Sequence, residues 1–147
     1  MRRLLSLTLI APLLAACGVF AGADPSGTLF RTTVASPDGS YVQEVVLGDQ
    51  TGLVTGIEPV EIVDASGFDP PTIEADEGQK NTLVFRWANG ACDRPAISFV
   101  RLQDHLSIKV SPRPQGGACM AILLFRAVRI HFKEPVDPAT IEVASPR

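Results

Sequence analysis

The stretch "AVRIHFK" (127–133) sets Val128, Ile130 and Phe132 against Arg129, His131 and Lys133. A strict period of two over that length marks a strand buried on one face and wet on the other. Working backwards, "HLSIKV" (105–110) alternates Leu106, Ile108 and Val110 with Ser107 and Lys109. "AISFVRL" (96–102) puts Ile97, Phe99 and Arg101 on one face. Only Gln103-Asp104 separates these two runs, which predicts a tight two-residue hairpin. "TLVFRW" (82–87) aligns Leu83, Phe85 and Trp87 in the same way.

The first half of the domain follows the same style. Strand signals at 29–34, 41–47, 53–57, 60–63 and 72–75 alternate with the turn clusters "SPDGS", "GDQTG", "DASGFDPP" and "DEGQKN". "IEV" (141–143) closes the chain. The short apolar run "MAILLF" (120–125) cannot be typed by periodicity, and no segment has the pattern of an amphipathic helix. Twelve prolines suit loops and sheet edges. The expected fold is all-β, an antiparallel β-sandwich of immunoglobulin-like architecture. The likeness is one of architecture only, because immunoglobulin domains order and space their Cys, Trp and Cys differently.

The N-terminus obeys other rules. Arg2 and Arg3 precede 13 uncharged residues, Leu4–Ala16, against the roughly 20 that a membrane-spanning helix needs. A basic head, a short apolar core and small residues at its end describe a secretory signal peptide. No Ser or Thr precedes the arginine pair, which favours general secretion over twin-arginine export. Leu14-Ala15-Ala16-Cys17 resembles the lipobox of bacterial lipoproteins. That resemblance implies cleavage between Ala16 and Cys17, and a diacylglycerol plus an N-acyl chain on Cys17. Two or more acyl chains anchor a protein stably where one is marginal, at about 0.8 kcal/mol per buried CH₂. Gly18 stands where an Asp would signal inner-membrane retention in a two-membrane cell. The expected location is therefore a bacterial outer membrane or the outer face of a plasma membrane.

Three segments follow: signal peptide 1–16, lipidated Cys17 with a small-residue tether to residue 28, and one domain over 29–147. Removing 16 of the 147 residues leaves 131, which suits one domain with a sizeable core. The charge without Arg2 and Arg3 is −5, a sign that argues against a nucleic-acid partner. Between Cys17 and Glu77 lie eleven acidic residues and one basic residue, whereas residues 78–147 hold five acidic and ten basic. The preferred reading is that strands of the two halves pair and neutralise each other locally. The other reading is a basic face toward anionic headgroups.

With Cys17 set aside, Cys92 and Cys119 form an even pair in an exported chain, which predicts a disulfide. It would close a 28-residue loop around the 97–110 hairpin, for about 3.6 kcal/mol in the chain-entropy picture. The run from Thr82 to Val143, with "DQTGLVTGI" (49–57), resembles a pattern in small exported proteins of high-GC bacteria. In that pattern a Trp-x-x-Gly-x-Cys strand end precedes a hairpin, a second Cys and a final alternating strand. The resemblance implies the same disulfide and a single domain, and no catalytic residue.

Catalytic chemistry has few candidates. No Gly-x-Ser-x-Gly stretch or phosphate-binding Gly-rich loop is present, and the two histidines, His105 and His131, read as solvated strand residues. Cys92, Cys119, His105 and His131 have ligand types suited to zinc or copper but lack the close spacing of a metal site. Asp64, Asp69, Glu74, Asp76 and Glu77 cluster around glycine-containing turns and offer carboxylates to calcium, without matching the EF-hand spacing. Trp87 and Tyr41 are the candidates for a stacking platform. The expectation is a non-enzymatic binding or accessory module of the cell envelope, without a cofactor and with an envelope protein as possible partner. It would bind through end loops near 64–71, 88–95 and 111–118. The alternative is a small-ligand or calcium-binding lipoprotein using the acidic 64–77 region.

Overall fold

The computed structural model describes residues 25–63, 68–113 and 122–144. The signal-peptide, lipidation and cleavage assignments at Ala16 and Cys17 lie outside these residues, as do Asp64 and Cys119. Among the described residues, nine strands form two sheets. One sheet holds β1 (Thr28–Ala35), β2 (Val42–Asp49), β6 (Ala96–Leu102), β7 (His105–Ser111) and β9 (Ile141–Ala144), in that order. The other runs β3 (Val54–Pro59), β8 (Leu123–Phe132), β5 (Thr82–Gly90) and β4 (Thr72–Ala75). The all-β sandwich stands. The four-stranded sheet is antiparallel throughout, but the five-stranded sheet is mixed, with β2–β6 and β7–β9 parallel.

The alternation read from sequence sets the faces. Leu83, Phe85 and Trp87 of β5 and Val128, Ile130 and Phe132 of β8 point inward, against Val45, Leu47, Ile97, Phe99, Ile108 and Val110. Phe85 stacks on Trp87 at 5.5 Å between ring centroids, and Phe99 meets Phe132 edge-on at 5.6 Å. Arg101 keeps the face of Ile97 and Phe99, opposite Leu106 in an unbroken register, but is exposed because it lies at the end of β6 next to the hairpin. That hairpin turns on Gln103, whose φ of 48° matches the left-handed conformation such two-residue turns require.

Three further boundaries differ from expectation. Packing against β2 reaches ahead of residue 29. Pro25 and Ser26 lie against Gly48, where an added Cβ would stand 2.7 Å from the Pro25 Cβ, and Gly27, at φ +90°, sits on the Asp49 carbonyl. The "VEIV" stretch is no strand, because Pro59 ends the β3–β8 ladder and beyond it only the Val60 N–H reaches the Ala127 carbonyl, at 3.2 Å. The untyped apolar run feeds into β8, one ten-residue strand.

The chain crosses between sheets at the 49–54 corner. Asp49 is buried there, accepting from the Thr51 N–H (2.8 Å), the Thr51 hydroxyl (2.6 Å) and the Val54 N–H (3.0 Å). A carboxylate thus replaces the ladder bonds that the corner gives up.

Candidate functional site: a polar end to the core

The core turns polar at the end of the sandwich where β2 and β8 begin and β5 finishes. Gln43 enters from β2; Asn89 and Arg126 enter from β5 and β8 at inward-facing positions. All three are buried. Gln43 Nε2 donates to the carbonyls of Ala91 and Asp93 at 2.9 Å each and to that of Gly90 at 3.3 Å. Its Oε1 accepts from Arg126 Nε at 3.0 Å and Asn89 Nδ2 at 3.3 Å. Asn89 Oδ1 in turn accepts from the Trp87 indole N–H at 2.9 Å. One glutamine therefore ties the two sheets together and pins the turn that carries Cys92.

Arg126 is the least conventional member. It is fully buried, its Nη1 donates to the Phe125 carbonyl at 3.3 Å, and its Nη2 has no hydrogen-bond partner. Burial lowers its pKa from the usual arginine value with no acidic group opposing the shift. It stays protonated all the same, because guanidinium does not deprotonate in proteins.

The predicted site residues are dispersed. Glu74 accepts from Arg86 (2.8 Å), and Asp76 from Arg129 (2.6 Å), which also holds Glu58 (2.7 Å). The acidic region is thus matched to arginines on the outer face of the four-stranded sheet. Asp69 follows Phe68, which is buried on that same outer face against Phe125 (5.1 Å) with Arg86 over its ring. The described part of the 64–71 loop is therefore a cover for the sheet rather than a free end loop. Glu77 lies in the exposed β4–β5 turn. Among the described residues, no three His, Cys, Asp or Glu side chains converge on a metal position.

His131 lies on the outer face beside Thr82 (3.3 Å) and Glu58 (3.5 Å). His105 is half-exposed at the start of β7, between Asp104 (3.1 Å) and Glu142 (2.8 Å). Hydrogen bonds to these two carboxylates raise its pKa above the ordinary value. Cys92 sits at the opposite end of the molecule, in the turn after β5. Trp87 is sealed in the core and offers no stacking platform, while Tyr41 is half-buried in the β1–β2 turn.

Sequence reasoning missed Gln43, Asn89 and Arg126. A signal existed: Arg126 shares the parity of Val128, Ile130 and Phe132, so extending β8 backwards places an arginine on the core face. No helix among the described residues is long and apolar enough to cross a membrane. No family profile, curated protein or solved structure matches the chain.

Proposed function

We propose that this chain is a bacterial lipoprotein whose β-sandwich serves as a non-enzymatic binding or accessory module, anchored to the cell envelope through diacylated Cys17. The observation that carries the reading is the Leu14-Ala15-Ala16-Cys17 lipobox behind a 13-residue apolar run. The start of the domain supports it. Pro25 already packs on Gly48, leaving only Gly18–Asp24 between anchor and fold. Seven residues reach at most about 25 Å when fully extended. The domain thus works close to the bilayer, on the outer face of a plasma membrane or in an outer membrane. Its partners are membrane lipid through the anchor and an envelope component through the domain.

The test is metabolic labelling with radiolabelled palmitate in a bacterial host. The wild-type chain should incorporate label and fractionate with membranes, and Cys17→Ser should do neither. Persistent labelling of Cys17→Ser would sink the assignment.

A further inference from the structure

A cleft of about 410 Å³ opens at the polar end of the sandwich, beside the first residues of β8. Pro37, Ile62, Val63 and Leu124 give it apolar walls, and Ser36 and Arg126 are its polar members. The strand geometry turns Arg126 toward it. In an antiparallel ladder the N–H and C=O of one residue face the same neighbouring strand, and every second residue repeats that direction. The Ala127 carbonyl faces the β3 side, where it accepts from Val60. Phe125, two residues earlier, therefore faces that side as well, past the point where β3 stops at Pro59. Arg126 Nη1 donates to this Phe125 carbonyl, so the guanidinium lies along the vacated edge.

Among the described residues the charge there is unbalanced. Nη2 is buried without a hydrogen bond, and no described carboxylate pairs with Arg126. A buried cation without counter-charge is costly, and breaking or lacking one partner is worse than having none of the pair. The planar guanidinium fork matches a carboxylate best.

We propose that this cleft is a binding site for a small carboxylate carried on a short apolar tail. The carboxylate accepts from Arg126 Nη2, and the tail lies along Pro37, Ile62, Val63 and Leu124. Nη2 is closed to solvent, so side chains that wall the cleft must give way before a carboxylate reaches it, while Val63 and Leu123 stand exposed at the rim. This site does not depend on the lipid anchor.

The probe is hexanoate, titrated into the ¹⁵N-labelled full-length chain, with hexanol and inorganic phosphate as controls. Hexanoate should shift the Arg126 Nε–H resonance saturably and raise the melting temperature. Hexanol, which lacks the charge, and phosphate, which lacks the tail, should each bind at least tenfold more weakly. Arg126→Met should weaken hexanoate binding at least tenfold. Should that variant fail to fold, Val63→Asp places a like charge at an exposed rim position and should weaken binding at least threefold. The proposal is overturned by the absence of a saturable shift at Arg126, by equal affinity for hexanol or phosphate, or by undiminished binding in Val63→Asp.

Discussion

Among single residues, Gln43 carries the most structure for its size. It uses both amide hydrogens and its oxygen on five partners, all near the boundary between the sheets. Replacing it by Leu keeps the volume but leaves buried carbonyls and the Arg126 Nε unpaired. Leaving buried polar groups unmet costs about 1–3 kcal/mol each before relaxation. Some are reached by water on rearrangement, so Gln43→Leu should lose about 2–4 kcal/mol in urea unfolding, with an unchanged denaturant slope. His105 makes a different prediction. Its hydrogen bonds to Asp104 and Glu142 favour the imidazolium and raise its folded pKa. The stability it contributes is complete below the unfolded value, about 6.5, and is lost as pH rises through the higher folded value. Glu142→Gln should move the NMR-detected His105 midpoint back toward 6.5, and an unmoved midpoint would refute the pairing. Asp38 behaves in the opposite sense. Hydrogen bonds from Ser36 and Ser40 hold its carboxyl down at about 2, so its contribution exists above the ordinary value and fades as pH falls toward 2.

Elements were legible where a single rule governed them. The 96–102 and 105–110 hairpin, the inward faces of β5 and β8, and the sandwich itself follow from period two and two-residue turns. Reading failed where another force overrode the pattern. Arg126 broke the apolar alternation, so β8 read as beginning at Ala127, although its ladder with β5 runs back to Leu123. The "VEIV" stretch has the right composition for a strand but follows a proline at the end of its ladder. Its Val60 and Ile62 pack instead with Phe68, Val84 and Ala127 as a small second core on the outer face of the four-stranded sheet. No local period announces a loop that folds over a sheet. Phe68 anchors that cover, so Phe68→Ala should cost about 3 kcal/mol in thermal or urea unfolding. The nearby Val63→Ser, at 93% exposure, should stay within about 0.5 kcal/mol of wild type. Equal effects of the two changes would mean that the cover contributes no packing.

Across the whole molecule, the two halves of the chain interlock. β2 pairs with β6 and β3 with β8, so neither half completes a sheet alone. The uneven charge resolves at the same level: Glu58, Glu74 and Asp76 from the acidic half meet Arg86 and Arg129 from the basic half. Such pairs are part-exposed and individually worth little, but they remove the self-repulsion that a separated charge distribution would impose. Interlocked, non-local pairing makes loop closure the main entropic obstacle to folding. The Cys92–Cys119 disulfide expected from the sequence would act on this term. Gln43 and the Asp93 carboxylate, which accepts from the Gly90 N–H at 2.9 Å, fix the turn that carries Cys92. A bridge from that turn across the 96–111 hairpin would therefore join the hairpin's base to an already ordered segment. Denatured, unreduced mature protein should show no reactive thiol, and reduction should lower stability by up to about 3.6 kcal/mol for the 28-residue loop. The Cys92→Ser/Cys119→Ser double variant should match the reduced protein, because the effect lies in the cross-link and not in the sulfur atoms. Two reactive thiols in the unreduced protein, or a double variant as stable as the oxidised wild type, would show that the fold closes this loop by packing alone.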